Sequence, residues 1–191
     1  GDSDKTGLHL YQPESAMLSN HSSELNENSP DFNGADLLRG VNPANGLVVY
    51  YNLPELPKAK QIELEILDSA GNLVNRFSSK KDKSQEKYDG GPPLALTLSK
   101  DKGLNRFVWD LRYQSMPGIP TAYIDGSYLG HKAIPGKYEL KLKLDDQVSQ
   151  ATVEILANPL YPTTVEYVEY HAVMSEMERL LKTMHDTTNR L

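Results

Sequence analysis

Four residues of a long connecting segment have side chains that could bind a ligand. They lie within residues 113–135, a segment rich in proline and glycine, and they are Tyr113, Tyr123, Tyr128 and His131. A connection of this length inside a compact domain is usually functional or packed against another part of the protein. Aromatic rings on such a loop can stack on sugars or fill a pocket of a partner protein. The alternative, which we favour from the sequence, is that the tyrosines cover the end of a core with their hydroxyls outward.

Paired carboxylates are the pattern to test for a glycosidase, which needs two of them about 5–10 Å apart across a cleft. Asp110 follows the single tryptophan, between Arg106 and Arg112, where a structural ion pair is the simpler interpretation. Asp145 and Asp146 stand between two strand patterns and are typical of a hairpin turn. The sequence also contains no glycine-rich phosphate loop and no serine in a nucleophile elbow. It therefore predicts no catalytic residue, and we expect that the chain alone is not an enzyme.

Metal and cofactor sites are not predicted either. The chain has no cysteine, which excludes thiolate ligands, disulfides and cysteine nucleophiles together. His171 and His185 lie fourteen residues apart with Glu178 midway, which is about 21 Å along a helix, too far to converge on one ion. His131 stands isolated in the long loop.

Composition limits the partners. The 191 residues carry a net charge of −6, and the basic residues are scattered singly or in pairs, so nucleic acid is not an expected partner. No apolar run approaches the roughly 20 residues that a membrane-spanning helix needs. Neighbouring domains, self-association or a carbohydrate remain as possible partners.

The single tryptophan lies in residues 103–113, the stretch around which we expect the fold to be organised. Phe107, Trp109, Leu111 and Tyr113 alternate with polar residues, a pattern that predicts a strand with one face in the core. We expect it to be the central strand of a β-sandwich.

About seven strands are predicted at spacings near ten residues, which is typical of a sandwich. Residues 47–53, 62–66, 73–77, 94–98, 137–144 and 148–156 join residues 103–113 in this set. The predicted core is anchored by six residues on two of these strands: Phe107, Trp109, Leu111, Tyr138, Leu140 and Leu142. The predicted fold is therefore mainly β, an antiparallel sandwich over residues 47–158, preceded by a polar extended lead or linker over residues 1–46. Within that lead, residues 8–11 form a candidate edge strand.

Residues 163–191 predict a C-terminal amphipathic helix. Its apolar residues recur at intervals of three and four, and such a stripe must be buried on something. The stripe comprises Tyr170, Val173, Met177, Leu180, Met184 and Leu191. The helix packs on its own domain, on a second copy of the chain, or on another part of a longer protein.

Four motifs in this order resemble one family of exported bacterial proteins. They are Asn-Pro-Ala-Asn-Gly before the strand at 47–53, Asp-Ser-Ala-Gly-Asn at 68–72, Trp-Asp at 109–110, and Pro-Gly-Lys-Tyr at 135–138. The set resembles the C-terminal region of sortilin-like or BNR-repeat "glycosyl hydrolases". There, a β-propeller is followed by an immunoglobulin-like domain similar to that of the flagellar hook capping protein. The resemblance covers roughly residues 42–160.

This resemblance implies an immunoglobulin-like sandwich and an exported, periplasmic or cell-surface location. The family's enzyme label belongs to the propeller, and no repeating blade pattern occurs in this chain. The implied function is that of a non-catalytic accessory or assembly module of a larger protein. Two alternatives stay open: a carbohydrate-binding module that uses the tyrosines of residues 113–135, and a scaffold fragment of a true hydrolase.

Overall fold

The structure is a computed structural model, and it describes residues 7–18, 46–81, 88–119, 127–159 and 164–190. Within these residues the chain forms eight strands followed by one helix. The early strands are β1 (His9–Leu10), β2 (Ala16–Met17), β3 (Leu47–Leu53), β4 (Glu63–Leu67) and β5 (Leu73–Ser78). The later elements are β6 (Gly103–Trp109), β7 (Gly136–Leu144), β8 (Gln147–Leu156) and the helix α1 (Thr164–Thr188).

The strands form two sheets. One has the order β1-β3-β6 and the other the order β2-β8-β7-β4-β5. All of the strand pairings are antiparallel except that of β2 with β8, which is parallel. β2 belongs to the N-terminal lead, outside the residues predicted to form the antiparallel sheets. The mainly-β class with a C-terminal helix is confirmed.

One continuous hydrophobic cluster receives side chains from both sheets. Strands β3 and β7 alternate between buried and less buried positions, as a period of two requires. Phe107 of one sheet lies 4.7 Å from Phe77 of the other, measured between ring centroids, and Trp109 lies 5.8 Å from Tyr138. All six residues assigned to the core from the sequence are at most 3% exposed.

The Trp109 strand differs from expectation in its position and its length. β6 pairs only with β3 within the described residues, so it lies at the edge of the three-stranded sheet and is not the central strand. The regular strand ends at Trp109, because Leu111 adopts a left-handed backbone conformation with φ 59°. Leu111 nevertheless stays buried, while Tyr113 leaves the predicted strand face.

Two further segments also depart from the prediction. Part of the N-terminal lead belongs to the sheets: β1 adds to β3, as expected for residues 8–11, and β2 adds to β8. Residues 94–98 do not form the predicted strand; Thr97 makes one isolated bridge to Ser78.

The charged residues on the outer face of the five-stranded sheet pair with one another across strands. Glu65 of β4 accepts hydrogen bonds from Arg76 of β5 at 2.9 Å and from Lys143 of β7 at 2.6 Å. The Lys143 hydrogen bond, with help from Arg76, lowers the pKa of Glu65. Cross-strand pairing of this kind stabilises a sheet and indicates no separate site.

The helix α1 is long but polar. Of the helices in the described part of the chain, none has the length and apolar character needed to cross a membrane.

Candidate functional site: the helix–loop junction

The long segment after Trp109 folds back on itself and forms the platform on which α1 lies. Backbone hydrogen bonds link the N–H of Tyr113 to the carbonyl of His131 (2.9 Å) and the N–H of Met116 to the carbonyl of Tyr128 (2.7 Å). A third bond joins the N–H of Ala133 to the carbonyl of Leu111 (2.7 Å). We call this platform, residues 111–119 and 127–133, together with the face of α1 that contacts it, the helix–loop junction.

Gly130 permits the close approach of the two segments. A Cβ atom at this position would lie 2.3 Å from the carbonyl oxygen of Tyr113, a distance that no real side chain tolerates. A larger residue at position 130 would therefore push the segments apart.

The platform is anchored to the core through the carbonyl of Arg112. This oxygen accepts hydrogen bonds from the indole N–H of Trp109 (2.9 Å) and from the side-chain amide of Asn75 (2.8 Å). Arg112 also donates to the carbonyl of Gly130 at 2.9 Å. The core tryptophan thus orients the chain just before Tyr113.

His131 is the centre of the junction. Its side chain is fully buried, and both of its ring nitrogens contact α1. Its backbone N–H donates to Glu178 Oε1 at 2.6 Å, and its Nδ1 lies 2.8 Å from Glu178 Oε2. Its Nε2 lies 2.8 Å from His171 Nδ1. One residue of the loop is therefore held by two residues of the helix, seven positions apart.

The hydrogen-bond pattern fixes the proton positions when Glu178 is ionised. A carboxylate only accepts, so the proton of a neutral His131 ring lies on Nδ1. Its Nε2 is then an acceptor, and His171 must donate from its own Nδ1. The result is a chain of three groups: carboxylate, imidazole, imidazole.

Aromatic packing and burial complete the surroundings of this chain. The Tyr113 ring stacks on the His131 ring with centroids 4.2 Å apart and planes only 9° from parallel. Burial, with smaller effects from the charges of Asp68 and Glu178, raises the pKa of the Tyr113 hydroxyl to about 12. Burial and the neighbouring His131 lower the pKa of His171, against opposing effects of Asp68 and Glu178.

A second set of contacts holds the C-terminal end of α1. His185 Nδ1 lies 2.7 Å from the carbonyl oxygen of Pro117, and the side-chain amide of Asn189 donates to the carbonyl of Gly118 at 2.9 Å. His185 is only 6% exposed, and its ring meets the edge of Tyr128 with centroids 5.8 Å apart. His171, Glu178 and His185 thus lie on one face of the helix and all bind the platform.

The structure brings three of the four predicted ligand-binding residues to this junction. Tyr113 is half-buried, whereas Tyr128 and His131 are 4% and 3% exposed and lie beneath the helix. Tyr123 lies outside the described residues. The prediction that His131 is isolated is wrong, because its ring contacts His171. The two residues are 40 positions apart in the sequence, so this contact could not be predicted from local patterns.

The arrangement resembles part of a catalytic triad but lacks its nucleophile. Ser175 Oγ lies 3.4 Å from His171 Nδ1, and that same nitrogen is already bonded to His131. In a working triad the base uses one nitrogen for the orienting group and the other for the nucleophile. Among the described residues, no three His, Asp or Glu side chains converge as a metal site requires. What the junction does show is a set of contacts that join the loop to α1.

Glu178 and His171 are the junction residues that sequence reasoning missed. Their signal is present in the sequence, because His171, Glu178 and His185 recur at intervals of seven and must share one helical face. We interpreted this spacing only as a failed metal site. The same spacing predicts a polar docking face equally well.

The apolar stripe of α1 is largely exposed, although the ring of Tyr170 meets that of His131 edge-on with centroids 6.2 Å apart. Its five described residues are between 46% and 63% exposed: Tyr170, Val173, Met177, Leu180 and Met184. The helix thus packs on its own domain, but through a different face from the apolar one.

Comparisons of the chain with protein-family models, with curated proteins and with solved structures gave no match.

Proposed function

We propose that this chain is a non-catalytic accessory or assembly module of a larger exported protein. In this proposal its two sheets form an immunoglobulin-like sandwich, and α1 is a fixed part of the module's surface. The observation that carries the proposal is the burial of His131. The loop residues that had the best chemistry for a ligand are used instead to hold the chain's own helix.

The shared hydrophobic core supports the sandwich. Side chains from both sheets meet between them, and the ring pairs Phe77–Phe107 and Trp109–Tyr138 join one sheet to the other. Two sheets packed face to face in this way are the defining layers of a sandwich. The four ordered motifs that resemble the exported bacterial family support the location and the accessory role.

The non-catalytic part of the proposal is supported by the chemistry of the junction. Catalytic groups must reach a substrate, whereas the side chain of His131 has no exposed surface and that of Glu178 is 16% exposed. Because α1 covers the loop, His131 and Glu178 are bonded to each other.

Enzyme assays on the purified chain test this part. We expect no hydrolysis of a panel of aryl glycosides above the rate in buffer. A rate that rises with protein concentration and falls in the Glu178→Gln variant would overturn the non-catalytic assignment.

Expression of the parent protein tests the accessory role. We expect that deleting residues 47–190 lowers the yield of folded parent protein, while the specific activity of its remaining domains is unchanged. If specific activity disappears although the remaining domains stay folded, this module is part of a catalytic unit.

Glycan-array binding tests the carbohydrate alternative, for which Tyr128 would have to be accessible. We expect no binding. Binding that is lost in Tyr128→Ala and kept in Tyr50→Ala, at equal melting temperature, would establish the alternative. Tyr50 is the matched control because it is a tyrosine that is 43% exposed on β3, away from the junction.

A further inference from the structure

The histidine relay, as we call Glu178, His131 and His171, ends at a nitrogen that reaches the surface. His171 Nδ1 is bonded to His131, whereas no described residue forms a hydrogen bond with His171 Nε2. Among the described residues, the buried side-chain polar atoms without a partner are the hydroxyls of Tyr88 and Tyr128, and His171 Nε2 is not one of them. This nitrogen is therefore accessible to solvent, on a ring that is otherwise half-buried.

The relay also determines where the proton of His171 lies. Glu178 accepts from His131 Nδ1, so His131 Nε2 accepts from His171 Nδ1. A neutral His171 ring thus holds its proton on Nδ1 and carries a free lone pair on Nε2. Burial and the neighbouring His131 lower the pKa of His171, against the opposing effects of Asp68 and Glu178. The ring is therefore mostly neutral at about pH 7.

Packing holds the His171 ring in one orientation. The Tyr113 ring, which stacks on His131, has its centroid 5.2 Å from that of His171. Ser175 Oγ lies 3.4 Å from His171 Nδ1, one helical turn further along α1. A histidine with one nitrogen bonded to an orienting partner is more basic at the other nitrogen, which is how metal-bound and catalytic histidines are activated.

We propose that His171 Nε2 is a nucleophile, and that a neutral acyl donor modifies the chain covalently at this atom. The lone pair of Nε2 attacks the carbonyl carbon and forms a bond with it, and the leaving group departs with the electron pair of the bond that breaks. The proton on His171 Nδ1 passes to His131 Nε2. The His131 cation that results lies 2.8 Å from the Glu178 carboxylate, which stabilises its charge.

The charges around the ring determine the class of the donor. Glu178 and Asp68 both act electrostatically on His171, and both carboxylates are negative. Asp68 is held in the turn between β4 and β5, where it accepts from the backbone N–H groups of Ala70 and Asn72 at 2.9 and 2.8 Å. These charges repel an anionic phosphoryl donor but not a neutral anhydride, thioester or activated ester. The step modifies the chain once and implies no turnover, so it is independent of the accessory role.

Acylation of the full chain by diethyl pyrocarbonate, a neutral anhydride, measures the reactivity. The reaction is followed at about pH 8, where an ordinary histidine is neutral, and peptide mass spectrometry locates the adducts. The reference is a synthetic peptide of residues 168–174, which is too short to form a stable helix. We expect His171 in the chain to react about tenfold faster than in the peptide, the lower end of the effect that orienting partners have on a histidine.

The other described histidines are internal controls. His131 and His185 are 3% and 6% exposed, so neither should react in the folded chain. His9 is half-buried like His171 but lies in β1, away from the junction. It should react more slowly than a peptide of residues 7–12, as partial burial alone predicts.

Glu178→Gln tests the role of the relay. Its amide oxygen can accept from the backbone N–H of His131, which turns the amide N–H groups toward His131 Nδ1. His131 then donates from Nε2 to His171 Nδ1, so the proton of His171 moves to Nε2 and the lone pair there is lost. We expect the rate at His171 to fall to that of the peptide or below. Release of α1 in this variant would also give the rate of the peptide, since it separates His171 from the relay.

Nitrogen-15 NMR of the His171 ring in the original chain tests the proton position directly. We expect the proton on Nδ1 and the lone pair on Nε2, which a merely structural contact between the two rings does not require.

Three results would overturn the proposal. A rate at His171 equal to or below that of the peptide means that the relay does not activate Nε2. A rate in Glu178→Gln that stays well above that of the peptide means that the reactivity does not come from the relay. A proton found on Nε2 in the original chain removes the lone pair on which the step depends. None of these results affects the accessory role, whereas glycosidase activity would overturn that role without changing the acylation rate of His171.

Discussion

The core between the sheets and the helix–loop junction are stabilised in different ways. The core is formed by apolar side chains from both sheets, among which Trp109 and Leu140 have no exposed surface. The junction is formed by directed bonds from His131 to Glu178 and His171. The stabilisation from buried apolar surface does not depend on the direction of the contacts. A buried hydrogen bond does depend on it, and the loss of one partner leaves the other partner unsatisfied.

This difference implies that the two regions can be disrupted separately. A change in the core should lower the stability of the whole domain, because both sheets share one hydrophobic cluster. A change at the junction should release α1 and leave the sheets paired, because no strand of either sheet contributes to the bonds between His131 and α1. Variants of Trp109, His131 and His171 test the separation, beginning with the residue whose loss should have the largest effect.

Trp109→Ala should destabilise the whole domain. Loss of a large buried aromatic side chain costs about 3–5 kcal/mol of unfolding free energy. This change also removes the hydrogen bond to the carbonyl of Arg112, which anchors the platform. We expect the urea midpoints followed by sheet and helix signals to fall together.

Trp109→Phe separates the two contributions. It keeps an aromatic ring in the core but lacks the N–H donor, so we expect a loss closer to 1–2 kcal/mol. If Trp109→Ala proves as stable as the original chain, Trp109 is not a core anchor. The claim that apolar burial between the sheets stabilises the whole domain would then be contradicted.

His131→Ala should release α1 locally. It removes both bonds from the ring and leaves Glu178 and His171 without these partners, at a cost of about 2–3 kcal/mol. The backbone bond from residue 131 to Glu178 can persist. Hydrogen exchange should show amides of α1 losing protection while those of β4 and β7 keep it.

Lys182→Ala is the control for this variant, because Lys182 is exposed on the same helix and its ion pair with Asp186 lies on the surface. We expect exchange close to that of the original chain. Equal loss of protection in α1 and in the sheets of His131→Ala would show that junction and core form one cooperative unit.

The two regions also differ in how far the sequence predicts them. Apolar and polar residues alternate strictly around Leu140 and Leu142 in β7. This alternation is a local signal, so it can be recognised without knowledge of the fold. The edge position of β6 was not predictable, because strand order depends on pairings between distant segments. The left-handed backbone conformation of Leu111 was also not predictable, because leucine rarely adopts it and its presence in a sequence does not indicate it.

The junction was less predictable for a related reason. The sequence identified Tyr113, Tyr128 and His131 as chemically notable, but their contacts with α1 join residues 40 or more positions apart. Histidine and glutamate are common on exposed helical faces, so their presence gives no signal of burial. The prediction considered only the apolar stripe of the helix, whereas the period-seven spacing of His171, Glu178 and His185 marks the face that binds the platform.

The smallest expected effect is a dependence of the junction on pH. Burial and the nearby His131 lower the pKa of His171 below its usual 6.5, so the released helix binds a proton at this residue more readily than the docked one. The stabilising contribution is therefore fully present above about pH 6.5 and is lost as pH falls below that value. The carboxylates of Glu178 and Asp68 act in the opposite direction and limit the size of the effect.

Hydrogen exchange of α1 between pH 5 and pH 8, corrected for intrinsic exchange rates, measures this dependence. We expect protection of the helix to fall on the acid side while protection of β7 stays constant. The variant His171→Asn keeps a side-chain N–H for His131 but cannot titrate, so its helix protection should be less sensitive to pH. An unchanged pH profile in His171→Asn would place the titration on another group. A profile that is flat in the original chain would mean that Glu178 balances the burial of His171, and that the junction stays docked whether or not its histidines are charged.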